Sequence, residues 1–261
     1  MAFTVHAVMP GVWHIVDCMG VCMTLLEGEN AAMLVDTGYG IEDVADFMRH
    51  MTDLPLTVFL THNHHDRAMG ARCFPETYML EADMADWRMF TNDKMRRRVL
   101  TQAIGKNLTV DEKTFLAGEI PLPKVMKPGV IDLGGLTAEI IEAPGHTPGS
   151  AVVYVPERKL LLSGDDWNPC TWLFFPQALG LREYRSNMRG IQQLPFEKVL
   201  CPHREALYDR WMFDDFFNAL TDGNLRAAEP VNIAPYEQID TCQATLPHDQ
   251  VFVFDWAKSG L

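Results

Sequence analysis

Apolar and polar positions first alternate in short stretches. Residues 3–8, 12–16, 21–26 and 31–35 read as strands broken by Pro10-Gly11, Gly20 and Gly28-Glu29-Asn30, a spacing that predicts a β-meander. The period then lengthens. Across 41–51, Ile41, Val44, Met48 and Met51 recur at helical spacing, with Glu42 and Asp43 in the first turn. Residues 56–60 read as a buried strand and 82–100 as a helix. Strands follow at 130–133, 136–141, 151–155 and 160–163, the last two joined by a turn at 156–159. A helix at 182–194 carries Tyr184, Met188, Ile191 and Leu194 on one face. A short strand at 198–201, a helix at 205–220 and a final strand at 251–256 complete the series. Strands followed by helix occur twice, without a Pro/Gly/Ser-rich linker. This predicts an α/β fold, a four-layer αβ/βα sandwich in one domain spanning 1–261, with similar halves of about 1–130 and 131–261.

Composition narrows the function more than the fold. The chain has 261 residues, 48% hydrophobic and 22% charged, enough to bury a large core. No apolar run approaches the roughly 20 residues of a membrane span, so no membrane partner is expected. The net charge of −13 disfavours a nucleic-acid partner. The one basic knot, Lys94–Val99, sits in a predicted helix and reads as a solvated face. Six scattered cysteines and the absence of a signal-like start fit free thiols in a cytoplasmic protein.

Candidate chemistry concentrates where predicted strands end. Thr61–Gly70 reads THNHHDRAMG. In extended chain alternate side chains share a side, so His62, His64 and Asp66 can converge while Asn63 and His65 point elsewhere. Imidazoles and a carboxylate suit zinc, iron or manganese. Three further candidates lie just past strands: His146 in APGHTPGS, Asp165 in LLSGDD and His203 in VLCPHRE. Strand ends of α/β sheets gather along one edge, where sites are built. Cys170 and Cys201 lack a base pattern and are not read as nucleophiles.

The ordered set LVDTG, THNHHD, PGHTPGS, LLSGD and His203, over roughly residues 10–205, resembles the metallo-β-lactamase fold superfamily. The resemblance implies a centre of one or two divalent ions, zinc first, with iron or manganese as alternatives. It implies His62, His64 and His146 at a first ion, Asp66 and His203 at a second, Asp165 bridging, and Asp36 supporting the ligand loop. Arg67 departs from the pattern of many hydrolytic members, which have a histidine ligand there. Arginine cannot be deprotonated in a protein and so cannot ligate. It reads as a fixed charge neutralising Asp66 or a nearby carboxylate, with a grip on an anionic substrate as the alternative. A weak second site is expected. Asp166 stands beside Asp165 and competes for its role.

Trp167, Trp172, Phe174 and Phe175 lack helical periodicity. They read either as an apolar wall over the metals or as packing in the core or at a homodimer interface. The leading expectation is a hydrolase of an ester, thioester, lactone or amide in which metal-bound hydroxide attacks a carbonyl, with Asp66 and Asp165 catalytic and a small-molecule substrate. The alternatives are a mononuclear non-haem iron oxidoreductase of the persulfide dioxygenase type and a non-catalytic metal-binding protein.

Overall fold

The structure, a computed structural model, describes residues 3–261. The chain opens with β1 (Thr4–Met9), β2 (Val12–Val16), β3 (Cys22–Glu27) and β4 (Ala32–Val35), an antiparallel meander. Helix α1 (Val44–Met51) crosses to β5 (Leu56–Phe59), which lies parallel to β4. Then follow α2 (His65–Ala68), β6 (Tyr78–Met79), α3 (Trp87–Thr91), α4 (Asp93–Gly105), α5 (Glu112–Phe115) and β7 (Lys124–Val125). Strands β1 to β7 form one sheet in sequence order.

The second sheet uses β8 (Gly129–Asp132), β9 (Thr137–Glu142), β10 (Ala151–Val155) and β11 (Leu160–Leu162). Next come β12 (Cys170–Leu173), α6 (Leu181–Ile191), β13 (Lys198–Leu200), β14 (Tyr208–Asp209), α7 (Arg210–Ala219) and α8 (Asp222–Arg226). The chain closes with β15 (Glu229–Pro230), β16 (Thr241–Leu246) and β17 (Gln250–Asp255). The second sheet runs β14-β13-β11-β10-β9-β8, and a third runs β12-β17-β16-β15.

Period-two alternation builds the layers. Leu26, Met33 and Val35 face inward against Ile140, Val153 and Leu162 of the second sheet. Their neighbours Leu25 and Leu34 face outward against Val44 and Met48 of α1. On the far side, Val152, Leu161 and Val199 pack against Tyr184, Met188 and Phe213. The result is helix, sheet, sheet, helix, the expected four-layer sandwich.

Local departures have local causes. The expected helix 82–100 breaks at Asn92, whose backbone is extended and whose side chain caps α4 by accepting from Met95 N. The expected helix 205–220 starts only at Arg210, because Tyr208 and Asp209 pair with β13. The final strand gains two neighbours absent from the sequence expectation. One is β16; the other is β12, which draws Cys170–Leu173 of the aromatic segment into a sheet. No helix among the described residues is long and apolar enough to cross a membrane. All six cysteines are free.

Candidate metal centre

The ends of β5, β9, β11 and β13 bring the candidate residues to one edge of the sandwich. The turn after β4 fixes the floor. Asp36 adopts a left-handed backbone (φ 66°), which a non-glycine residue tolerates only where its surroundings hold it. Its carboxylate accepts from Thr61 N at 2.8 Å and from Thr61 Oγ1 at 2.9 Å. Gly40 then passes so close to Gly70 that a Cβ there would lie 2.6 Å from the Gly70 Cα, so the turn clamps the ligand loop. Burial pushes the Asp36 carboxyl up to about 7 against the opposing pull of Arg67 and the Thr61 hydrogen bonds.

His62, His64, His146 and Asp165 converge, each buried, with one donor atom apiece inside a common 4.8 Å. Every imidazole has its other nitrogen engaged. His62 Nδ1 lies 3.1 Å from Thr61 Oγ1, whose own hydrogen goes to Asp36, so the imidazole is the donor. His146 Nδ1–H donates to the Trp172 carbonyl at 2.7 Å. His64 Nε2 lies 2.6 Å from the Gln177 amide. The Gln177 oxygen has no other partner, and turning the amide lets it accept from that nitrogen. Three lone pairs then point inward. His62 Nε2 has no hydrogen-bond partner and lies 3.5 Å from Asp165 Oδ2. His64 Nδ1 and His146 Nε2 stand 2.8 Å apart.

Burial lowers all three histidines, His62 to about 3 and His64 well below its ordinary range, so the cluster is neutral apart from Asp165. A buried group of acceptors with no proton to share fits a divalent cation.

A second group, Asp66, Asp165 and His203, adjoins the first through Asp165. Here strand alternation fails as an explanation. Residues 65–68 are helical, so Asp66 leaves the His62/His64 side and turns toward Arg67 and His203. Arg67 is fully buried. Its Nη2 lies 2.7 Å from Asp66 Oδ2 and 3.1 Å from His203 Nε2, and its Nε lies 3.7 Å from Asp165 Oδ1. Burial alone would raise the Asp66 and Asp165 carboxyls. Arg67 opposes it together with the neighbouring histidines, His65 and His203 at Asp66 and His203 and His62 at Asp165, and the sum holds Asp66 at about 2 and Asp165 well below the usual carboxylate range. Asp166 turns away, accepting from His146 N at 3.0 Å, and burial raises its carboxyl well above the carboxylate range.

The sequence reading missed Gln177 and Asp83. Buried Asp83 ties the two histidine loops together, accepting from Asn63 N (3.0 Å), Thr147 Oγ1 (2.8 Å) and Gly149 N (2.6 Å). A Cβ on Gly149 would sit 2.6 Å from Asp83 N, which explains the glycine. Neither acid nor amide lies in a spacing pattern.

A cavity of about 480 Å³ opens onto the cluster. Tyr39, Phe90, Trp172, Phe175 and Tyr236 line its walls, with Arg98 and Arg204 also lining it. Of the four aromatics read as either wall or packing, Trp172 and Phe175 line the cavity. Trp167 and Phe174 are buried in the core instead, Trp167 against Tyr208 and Phe213. A second, largely apolar recess of about 380 Å³ adjoins it, sharing Phe90, Arg98, Phe175 and Tyr236, with Met89 and Met95 beyond.

A family model described as the metallo-beta-lactamase superfamily matches residues 16–203. The chain is 25% identical to "Acyl-coenzyme A thioesterase MBLAC2" of Gallus gallus over 202 residues, 69% of this chain and 70% of that protein. Among solved structures it is similar to a metallo-beta-lactamase from Pontibacter korlensis (TM-score 0.61, 17% identity, 84% of this chain and 99% of that one). It is also similar to TTHA1623 in a di-iron-bound form (TM-score 0.52, 20% identity, 74% of this chain and 92% of that one). At these identities the structural matches speak to the fold.

Proposed function

The chain belongs to the metallo-beta-lactamase superfamily, and from that membership we propose that it is a metal-dependent hydrolase of acyl thioesters. The observation that carries the metal is the convergence of one buried ligand atom from each of His62, His64, His146 and Asp165 at the end of an aromatic cavity. These four would hold one divalent ion, zinc first, with iron or manganese as alternatives. Such an ion, when bound, lowers the pKa of water and draws electron density from a carbonyl.

The rest is the work of the chain's own side chains. Asp66 lines the cavity and is held ionised by Arg67, so it accepts a hydrogen bond from an incoming water and orients it. Phe90, Trp172 and Phe175 exclude bulk water from the reacting carbonyl. Arg98 and Arg204 offer a landing for anionic groups on the leaving thiol, such as the phosphates of coenzyme A. The apolar recess beyond Phe90 and Tyr236 gives room for a hydrocarbon chain. The activity named for the chicken relative supports the thioester over an ester, lactone or amide. A small molecule is the partner that suits a cavity of this size and a net charge of −13.

The test is release of free thiol from acyl-coenzyme A of several chain lengths by metal-loaded protein, with and without chelator. Chelator-sensitive hydrolysis is expected. Hydrolysis of simple esters or lactones with no thioester activity would overturn the substrate class. Bound iron with oxygen uptake on a persulfide would replace hydrolysis by the redox reading.

A further inference from the structure

The three acceptors expected to hold a second ion already surround a positive charge. His203 Nε2 lies 3.6 Å from Asp66 Oδ2 and 3.2 Å from Asp165 Oδ2. Arg67 Nη2 is within hydrogen-bond reach of two of these atoms, at 2.7 Å from Asp66 Oδ2 and 3.1 Å from His203 Nε2. We infer that the Arg67 guanidinium fills the place of a second metal ion, so that the centre takes one divalent ion and keeps arginine as its permanent second cation. This rests on the proposed metal at the His62/His64/His146 cluster.

The geometry is restrictive. An ion bonded at about 2.1 Å to both Asp66 Oδ2 and His203 Nε2 could lie no farther than about 3.4 Å from Nη2, on any side of the line joining them. That is contact distance between two cations. Arginine cannot relieve it by losing its proton. Nor is the guanidinium free to swing aside. It is fully buried, and Nη1 donates to the Cys22 carbonyl at 3.2 Å. The Arg67 carbonyl is itself held by Thr37 N and Thr37 Oγ1 at 3.0 and 2.6 Å. The first cluster differs in kind: neutral imidazoles and one carboxylate meet there, with no cationic nitrogen among them.

Arg67 thereby becomes a positioning residue. Its charge stands against the Asp66 and Asp165 carboxylates, at 2.7 and 3.7 Å, where a dinuclear centre would place its second metal. Its single charge also leaves less attraction for a second water ligand than a divalent ion would.

The experiment counts ions, not turnover. Metal-free protein is titrated with Co2+, followed by its visible absorption, and with Zn2+, followed by calorimetry and elemental analysis. Wild type should saturate at one equivalent, and a tenfold excess should add none of comparable spectrum. Arg67→His and Arg67→Ala should each accept a second equivalent. Two equivalents in wild type, or one equivalent in both variants, would overturn the inference. If neither variant folds, the wild-type titration still decides it. No bound ion at all would overturn both this inference and the hydrolase reading. One tightly bound ion without any hydrolysis would sink the hydrolase reading alone.

Discussion

His64 Nδ1 and His146 Nε2 face each other at 2.8 Å, and in the tautomer that frees both for a metal no hydrogen lies between them. His146 gives its Nδ1 hydrogen to Trp172, and once the Gln177 amide is turned to present its oxygen, His64 gives its Nε2 hydrogen to Gln177. Two buried lone pairs in contact repel until a cation separates them. Metal should therefore stabilise the fold strongly. At ligand about 1,000-fold over Kd, linkage adds about 4 kcal/mol, on the order of 8 °C in Tm for a chain of this size. Scanning calorimetry of metal-free and zinc-loaded protein checks this. His64→Ala should lose both the shift and the activity, whereas His65→Ala should keep the metal, since His65 packs edge-on against Tyr39 outside the cluster.

Gln177 touches no ion, yet it sets which nitrogen of His64 is free. Losing such an outer partner typically costs about 10–100-fold in metal affinity. Gln177→Ala should fall in that range by chelator competition, with every ligand still present. An unchanged affinity would mean that His64 keeps its tautomer unaided.

Asp83 gives a pH-dependent stability with a definite sign. Burial raises its carboxyl to about 6, above the 3.8 of an ordinary aspartate. A folded-state pKa above the unfolded one contributes stability that is fully present below 3.8 and is lost as pH rises through about 6. Asn cannot titrate. Asp83→Asn should be destabilised at every pH, and its deficit should widen as pH falls from 6 toward 4, by about 1.4 kcal/mol per pH unit. Urea unfolding of both metal-free proteins, compared pH by pH, cancels what the histidines contribute. A deficit that narrows on acidification would reverse the assignment.

How far the site was legible depends on which rule carried each residue. His62 and His64 follow a strand, and alternation put both on one side, as the structure has them. Asp66 was reached by the same rule for the wrong reason, since a turn of helix delivers it to Arg67 and His203. Asp83 and Gln177 act through long-range hydrogen bonds, and no local pattern announces such a partner. The layers were readable because period two and helical spacing each appear in full runs. Strands β6, β7, β14 and β15, two residues each, are too short to show a period. Trp167 and Phe174 show the limit of composition: four aromatics in one segment divide between core and cavity according to the pairing of β12 with β17.

Arg98 bears on the substrate. It lines both the metal-facing cavity and the apolar recess. If it meets phosphate groups of the leaving thiol, Arg98→Ala should raise KM for acyl-coenzyme A about tenfold at constant kcat, a loss of roughly 1.4 kcal/mol of uniform binding. Thioesters of a small uncharged thiol should be hydrolysed equally by both proteins. Equal losses on the two substrates would assign Arg98 to the shape of the cavity.

Asp165 and Asp166 are neighbours in sequence whose surroundings drive their titrations apart. Arg67, His203 and His62 hold Asp165 ionised against its burial, while burial holds Asp166 well above the carboxylate range. The first is thereby kept a charged acceptor, while burial favours the second as a neutral acid, a division of the kind that separates roles between adjacent carboxyls. Asp166 keeps one oxygen on His146 N, and its other oxygen has no partner. An asparagine amide reproduces the shape and the accepting oxygen of that neutral acid. Asp166→Asn should therefore retain metal and lose no more than about 1 kcal/mol of stability. Asp165→Asn removes the one charge in the first cluster and should lower metal affinity beyond the ~100-fold typical of an outer partner. Metal content after dialysis and Tm of the two variants decide the matter. If Asp166→Asn also loses its metal, the neutral acid at 166 is wrong and both carboxylates belong to the ion.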